Sequence, residues 1–441
     1  MAFRSDNRRE KFGWCLYDWA NSAFATTVMA AILPVYFAGA IVPEGGVLFS
    51  LMGRRVYVSA TSLWGYASGL TAFLVLISAP FLGGIADQSN RKKTFLSIFC
   101  YSGSLMTLLF FFSGPGDVFY TLILFCLAHY CFVGGNVFYD AFLPFISPGR
   151  DMDRLSGQGY ALGYLGGGIL LALNVVIVSS SQRTGLFHET TAIRLCLASA
   201  GIWWALFGSI SFSLFQEHGV PRFRDTGLLK GAVAGWRRVW ETTLSITRQR
   251  HVLIFLASYM IYNDGIQTVI KMASIYGKEE LNLSTGTLLG ALLMVQCVGI
   301  GGSLLMSSVA RLFGTKRTIM GGLVAWFGLT LFSYRMETPS EYWVMALVVG
   351  LILGGTQALS RSFYGRIIPK EQSAEFFGYF SVFGKFSAIW GPIIFAVVRQ
   401  VTGTSRLSIL SLSLFFFTGW VLLLFVREER PEPSPETRRG L

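Results

Sequence analysis

Residues 14–39 read WCLYDWANSAFATTVMAAILPVYFAG, a run of 26 positions in which Asp18 is the only charged side chain. A helix needs about 20 apolar residues to cross the roughly 30 Å hydrocarbon core of a bilayer, so this run reads as a membrane span. The preceding MAFRSDNRREK is charged like the head of a secretory leader. Asp18, Asn21 and a run as long as the membrane is wide favour a retained span over a cleaved one.

Eleven further runs of similar character lie at 59–86, 94–113, 118–147, 156–180, 192–215, 252–276, 285–310, 318–334, 342–366, 373–398 and 406–426. Across the 441 residues 53% are hydrophobic and 14% charged, with 38 Phe, 49 Gly and a mean hydropathy of +0.54. Soluble domains carry about 25% charged residues, so a soluble enzyme is excluded and a twelve-helix, all-α membrane protein is expected. Lys and Arg segregate, 26 in or bordering the segments on the side of both termini against 8 in the opposite loops, which places both termini in the cytoplasm. The net charge of +12 follows this topology and calls for no nucleic acid. Six cysteines (Cys15, Cys100, Cys126, Cys131, Cys196 and Cys297) stand singly and suggest neither metal nor redox centre.

The longest internal polar stretch, 216–251, divides the chain into six-helix bundles at 1–215 and 252–426, with a tail at 427–441 expected to be disordered. Within that linker Leu229, Val233, Trp236, Trp240 and Leu244 recur at helical spacing with Arg237 and Arg238 off the stripe. The pattern fits a helix lying on an anionic leaflet or one packed on the ends of the bundle. The two bundles look duplicated. Asp87 to Thr94 aligns with Arg311 to Thr318 at an offset of 224 residues, Gly134-Gly135 with Gly354-Gly355 at 220, and Gly159-Tyr160 with Gly378-Tyr379 at 219. An even number of spans per copy makes the copies parallel repeats, an arrangement that puts a substrate site between them near the midplane.

Ionisable residues inside spans cost on the order of 3 kcal/mol each and are functional candidates by default. Asp18, Ser22 and Thr26 stand at steps of four with Asn21 beside them; His129, Asn136 and Asp140 share a face of the fourth span. The seventh carries Asn263, Gln267 and Lys271 at steps of four and Asp264 one position away, the tenth Gln357 with Arg361, and the eleventh Ser381 with Lys385. Together these predict one polar cavity for a small solute and for protons, the alternative being interhelical contacts that only assemble the bundle. Asp87, ahead of Arg91, Lys92 and Lys93, is placed to cap a helix amino terminus in the other half, a cytoplasmic gate that must break for the site to open inward.

Gly83-Gly-Ile-Ala-Asp87 with Arg91-Lys92-Lys93 resembles the loop motif of the major facilitator superfamily, with Gln88 in place of its arginine and Asn90 in place of its glycine. Tyr17-Asp18-Trp19-Ala20-Asn21-Ser22-Ala23-Phe24, Asn263-Asp264-Gly265-Ile-Gln267-Thr268, Gly354-Gly-Thr-Gln357-Ala-Leu-Ser-Arg361-Ser, Phe142-Leu-Pro144, and Glu375-Phe-Phe-Gly378-Tyr with Gly384-Lys385 are similar to the vacuole effluxer-like branch. The resemblance spans the chain. It implies twelve helices, alternating access and, through fungal vacuolar exporters, amino acids as substrates. Gly384-Lys385 lacks the Ser or Thr and the preceding strand of a nucleotide-binding loop, so ATP-driven pumping is excluded. No nucleophile and base pair points to an enzyme. The expectation is a proton-linked, monomeric secondary transporter of a small polar or zwitterionic metabolite in the bacterial inner membrane, without cofactor or metal. A non-transporting sensor or scaffold and a carrier of a lipid-like substrate are the alternatives.

Overall fold

The computed structural model describes residues 3–43, 46–51, 54–149, 151–184, 188–218, 249–387 and 389–427. Helices occupy all twelve positions read from the sequence. The first six are α1 (Phe3–Ala23, continued by wider i→i+5 turns at Phe24–Ala31 and Phe37–Ile41 around a short α-helical stretch, Leu33–Tyr36), α2 (Ala60–Ser89), α3 (Lys92–Leu109), α4 (Val118–Ala141), α5 (Asp151–Thr184) and α6 (Glu189–Leu214). The second set is α7 (Arg250–Glu280), α8 (Thr285–Phe313), α9 (Thr315–Arg335), α10 (Pro339–Ile367), then α11 (Ser373–Phe386) with α12 (Trp390–Thr402), and α13 (Ser405–Ser411) with α14 (Ser413–Leu424). Ten spans among the described residues are long and apolar enough to cross a membrane. The two that fall short are α7, with its buried Asn263 and Asp264, and α9, which starts at Thr315-Lys-Arg317 and ends at Arg335.

Local signals set the ends. The Ser59 and Ser284 hydroxyls accept from the backbone N–H of Ser62 and Thr287 at the starts of α2 and α8. Thr338 and Glu341 form a reciprocal capping box around Pro339 at the start of α10. At the other end, α2 stops at Asn90 (φ 51°) and α8 at Gly314 (φ 91°). These are the two residues the internal repeat pairs, and both take the positive φ that Asn and Gly tolerate best.

Two features depart from the sequence reading. The segment between the first two spans, expected as a loop, carries an antiparallel hairpin of β1 (Val47–Leu51) and β2 (Arg54–Val58), with Val47 opposite Val58. The eleventh span, expected as one helix over 373–398, is two helices, one ending at Phe386 and the next starting at Trp390. The expected linker helix at 229–244 and the expected disordered tail lie, but for Arg427, outside the described residues.

Hydrogen bonds identify the end that carries both termini. Glu10 accepts from the Gln216 N–H after α6, and Lys316, in the first turn of α9, donates to the Leu424 and Val426 carbonyls. At this terminus end the two six-helix sets press together. Gly83 of α2 lies so close to α11 that an added Cβ would sit 2.3 Å from the Ala374 carbonyl oxygen, and one on Gly378 would sit 2.8 Å from that of Ala79. Glycine is required there because backbone meets backbone. Gly302 of α8 meets α10 in the same way, a Cβ falling 2.4 Å from the Leu351 carbonyl, whereas the adjacent Gly301 has open space around it.

This neighbouring pair yields a prediction of opposite sign. Gly302→Ala overpacks a backbone contact and is expected to lower stability by about 1–3 kcal/mol, while Gly301→Ala gains helix propensity and is expected to be neutral or stabilising by up to about 1 kcal/mol. Thermal unfolding of both variants in one detergent measures it.

Candidate functional site

Asp18, Asp140 and Arg361 are brought together by the fold although up to 343 residues separate them. Arg361 of α10, six residues from that helix's terminus-end stop, donates to Asp18 Oδ2 of α1 at 3.3 Å and to Asp140 Oδ1 of α4 at 3.2 Å. Its Nε donates to the Ser156 hydroxyl at 2.9 Å and a terminal N–H to the Ser156 carbonyl at 3.0 Å, both on α5. The guanidinium lies 4.5 Å from the Tyr160 ring centroid, 4.7 Å from Trp14 and 5.5 Å from Tyr139, within cation–π range. The Tyr139 hydroxyl donates to Asp18 at 2.8 Å, and the Trp14 indole donates to the Tyr139 carbonyl and stacks on its ring. Gly159 leaves room for all this, since a Cβ there would sit 2.5 Å from Asp18 Oδ2. One residue of the second helix set is thus held by three helices of the first.

Closer to the terminus end, Asp153 of α5 pairs with Arg366 of α10 at 3.0 Å and accepts from the hydroxyls of Thr315 and Ser362. Arg366 also donates to Thr315. Asp87 accepts from the Glu375 backbone N–H at 2.9 Å in the first turn of α11, and Lys92 pairs with it at 2.8 Å, both side chains buried. A carboxylate at that position meets the free amides and the positive end of the helix dipole. Arg91, expected alongside, is exposed at the start of α3.

The third acid goes elsewhere. Asp264 of α7 accepts from the Gly391 N–H at 2.9 Å and caps the first turn of α12, while the Asn263 amide donates to the Ser387 hydroxyl at 2.6 Å. A Cβ on Gly391 would collide with Thr268 and Asp264, so glycine is required at the joint. Asn21 donates to Asn136 at 2.8 Å, joining α1 to α4. Lys385, in the last turn of α11, lies 3.5 Å from His129 Nε2 of α4. Gln267 and Gln357 are half-buried, one turn beyond Asn263 and Arg361 toward the far end, and Lys271 is exposed. The candidate residues therefore occupy several stations along the interface rather than one pocket holding all three acids.

Residues 6–434 match the family described as "Vacuole effluxer Atg22 like". The chain belongs to that family. It is 32% identical over 422 residues to the "Uncharacterized MFS-type transporter YxiO" of Bacillus subtilis, covering 96% of this chain and 95% of that one. It is 22% identical over 560 aligned positions to "Autophagy-related protein 22-1" of Neosartorya fischeri, covering 97% and 91%. Among solved structures, the fold superposes on the major facilitator transporter FucP in its outward conformation with a TM-score of 0.70 at 12% identity, covering 95% and 98%. This Atg22-like protein is a multi-pass membrane transporter of the major facilitator fold and not an enzyme.

Sequence reasoning missed the surroundings of Arg361 in this transporter. Trp14 and Asp18, and likewise Ser156 and Tyr160, stand four apart on one helix face, and Tyr139 adjoins Asp140, so a search for aromatic residues flanking the membrane acids would have found them. Asp153, Thr315 and Arg366 fell in segments read as topological charge.

Removing one partner of a buried ion pair leaves an uncompensated charge, at a cost of about 3–5 kcal/mol. Arg361→Met is therefore expected to lower the melting temperature more than the triple change Asp18→Asn, Asp140→Asn and Arg361→Met, which leaves no charge stranded. Thermal unfolding of both in detergent tests the coupling, and a loss in the triple variant as large as or larger than in Arg361→Met would count against it.

Proposed function

We propose that the chain is a proton-linked secondary transporter of a small polar or zwitterionic metabolite, with amino acids as leading candidates, working by alternating access as a monomer. Both termini are cytoplasmic, as the excess of Lys and Arg on their side requires, and the membrane is the bacterial inner membrane. The observation carrying this reading is the burial of Arg361 from one helix set among Asp18, Asp140 and Ser156 of the other. With Asp87 on α11 and Asp153 on Arg366, it holds the terminus end shut. These contacts must part for a central site to reach the cytoplasm, and they can do so as a unit because each bridges the two helix sets.

The charge count supplies a reason for proton linkage. Two carboxylates share one guanidinium, so the cluster carries one formal negative charge in excess, and a proton on either carboxyl balances it. Protonation also removes one of the two ionic ties on Arg361, which couples proton occupancy to opening of that end. Solute would enter from the far end, between the helices that carry Gln267, Gln357, Lys271 and Lys385.

The test uses proteoliposomes loaded with a pH-sensitive dye and challenged with amino acids, sugars and polyols. The wild-type chain is expected to move protons with at least one class, and Asp18→Asn or Asp140→Asn to lose uptake driven by a pH gradient while keeping solute exchange. Driven uptake unchanged in both variants would refute the assignment. Asp87→Asn is expected to change transport rate more than equilibrium binding, since it alters a gate and not a contact with solute; equal effects would count against a gating role.

A further inference from the structure

Lys385 stands out among the interior charges because its hydrogen-bond partner is a neutral-capable ring and not a carboxylate. It sits at the break in the eleventh span, halfway along residues 370–402, facing His129, the twelfth of the 24 residues of α4. An ammonium group only donates, so the 3.5 Å contact makes His129 Nε2 the acceptor and puts the ring proton on Nδ1. His129 Nδ1 is indeed buried without a hydrogen-bond partner among the described residues. The ring therefore brings no negative charge to Lys385. Lys271 of α7 comes within electrostatic reach of both Lys385 and Asp264. The carboxylate of Asp264 is engaged by the Gly391 N–H. Lys385 thus stands at mid-depth between the two helix sets with a neutral ring, and no carboxylate, as its hydrogen-bond partner among the described residues.

We propose that Lys385, with Lys271 and His129 beside it, forms the subsite that takes a carboxylate of the transported solute. This rests on the reading of the chain as a carrier of small polar metabolites and narrows the substrate to those bearing a carboxylate. Breaks in membrane helices near the midplane are recurrent places for such recognition, because the bundle there already tolerates polar backbone. A solute carboxylate at Lys385 would supply the missing counter-charge, and its departure would leave the lysine unneutralised, so that binding is felt directly at the joint between α11 and α12.

The experiment is a thermal-shift titration of the full chain in detergent, in which ligands that bind the folded state raise its apparent stability by mass action. The probes are alanine against ethylamine, histidine against histamine, and glucose as a neutral solute. At least one acid is expected to stabilise the protein while its decarboxylated amine does not. Lys385→Met should weaken the acid's apparent affinity by about tenfold or more, the scale of a lost charge-assisted hydrogen bond, and Lys385→Arg should keep most of it. Should Lys385→Met fail to fold, the acid-against-amine comparison in the wild type still decides. If the amines or glucose stabilise as well as the acids, or Lys385→Met binds the acid unchanged, the carboxylate subsite is overturned and the carrier of small polar solutes stands. If no probe stabilises the protein, the result counts against both.

Discussion

A guanidinium shared by two carboxylates and enclosed by three aromatic rings is the constraint around which this bundle closes. Taking Arg361 out of water costs several kcal/mol, and its ionic partners roughly offset that, so the pair adds little net stability by itself. Its effect is on which arrangement of the helices is populated. Arg361 comes from one helix set and its partners from three helices of the other, so the charges are satisfied only while the terminus end is shut. Glycines at 83, 159 and 378 permit the approach, and Asp87 and Asp153 repeat the same logic nearer the surface.

The eleventh span answers to both helix sets. Its lower helix, α11, receives Asp87 from α2 at its first turn, and its upper helix, α12, receives Asp264 from α7. Each half-helix has its free amides met by a carboxylate from a different partner, which is the expected way to satisfy backbone groups where a helix is interrupted inside a membrane.

The membrane class, the spans and the family were legible in the sequence because hydropathy is a local property and the motifs at Asp18, Asn263 and Gly354 are contiguous. Asp87 could be read as a cap because its position at the end of a helix, ahead of basic residues, specifies the chemistry before the partner is known. Arg361 could be singled out as a membrane charge, but its partners could not, since they lie 205 to 343 residues away and depend on how α1, α4, α5 and α10 pack. The break after Phe386 was signalled by Gly391-Pro392, since a proline has no N–H to donate one turn back and is tolerated only in the first turn of a helix, but the unbroken hydropathy of the span carried the reading across it. The β-hairpin was hidden by length and pattern: Val47 to Leu51 and Arg54 to Val58 are short, and neither VLFSL nor RRVYV alternates apolar with polar residues.

The matched turns at Asn90 and Gly314 carry a historical consequence. In the two copies the positive φ survived, although ψ differs (44° at Asn90, 150° at Gly314), while the side-chain chemistry changed places: the first copy has an acid, Asp87, at the end of its helix, and the second has Arg311 at the aligned position. The acid that faces the second loop stands instead across the interface, as Asp153 against Thr315. After a duplication, selection on such a contact acts on the pair and not on which copy contributes the charge. Ancestral and divergent relatives would then be expected to exchange donor and acceptor between the halves while keeping, at both turns, a residue that tolerates positive φ.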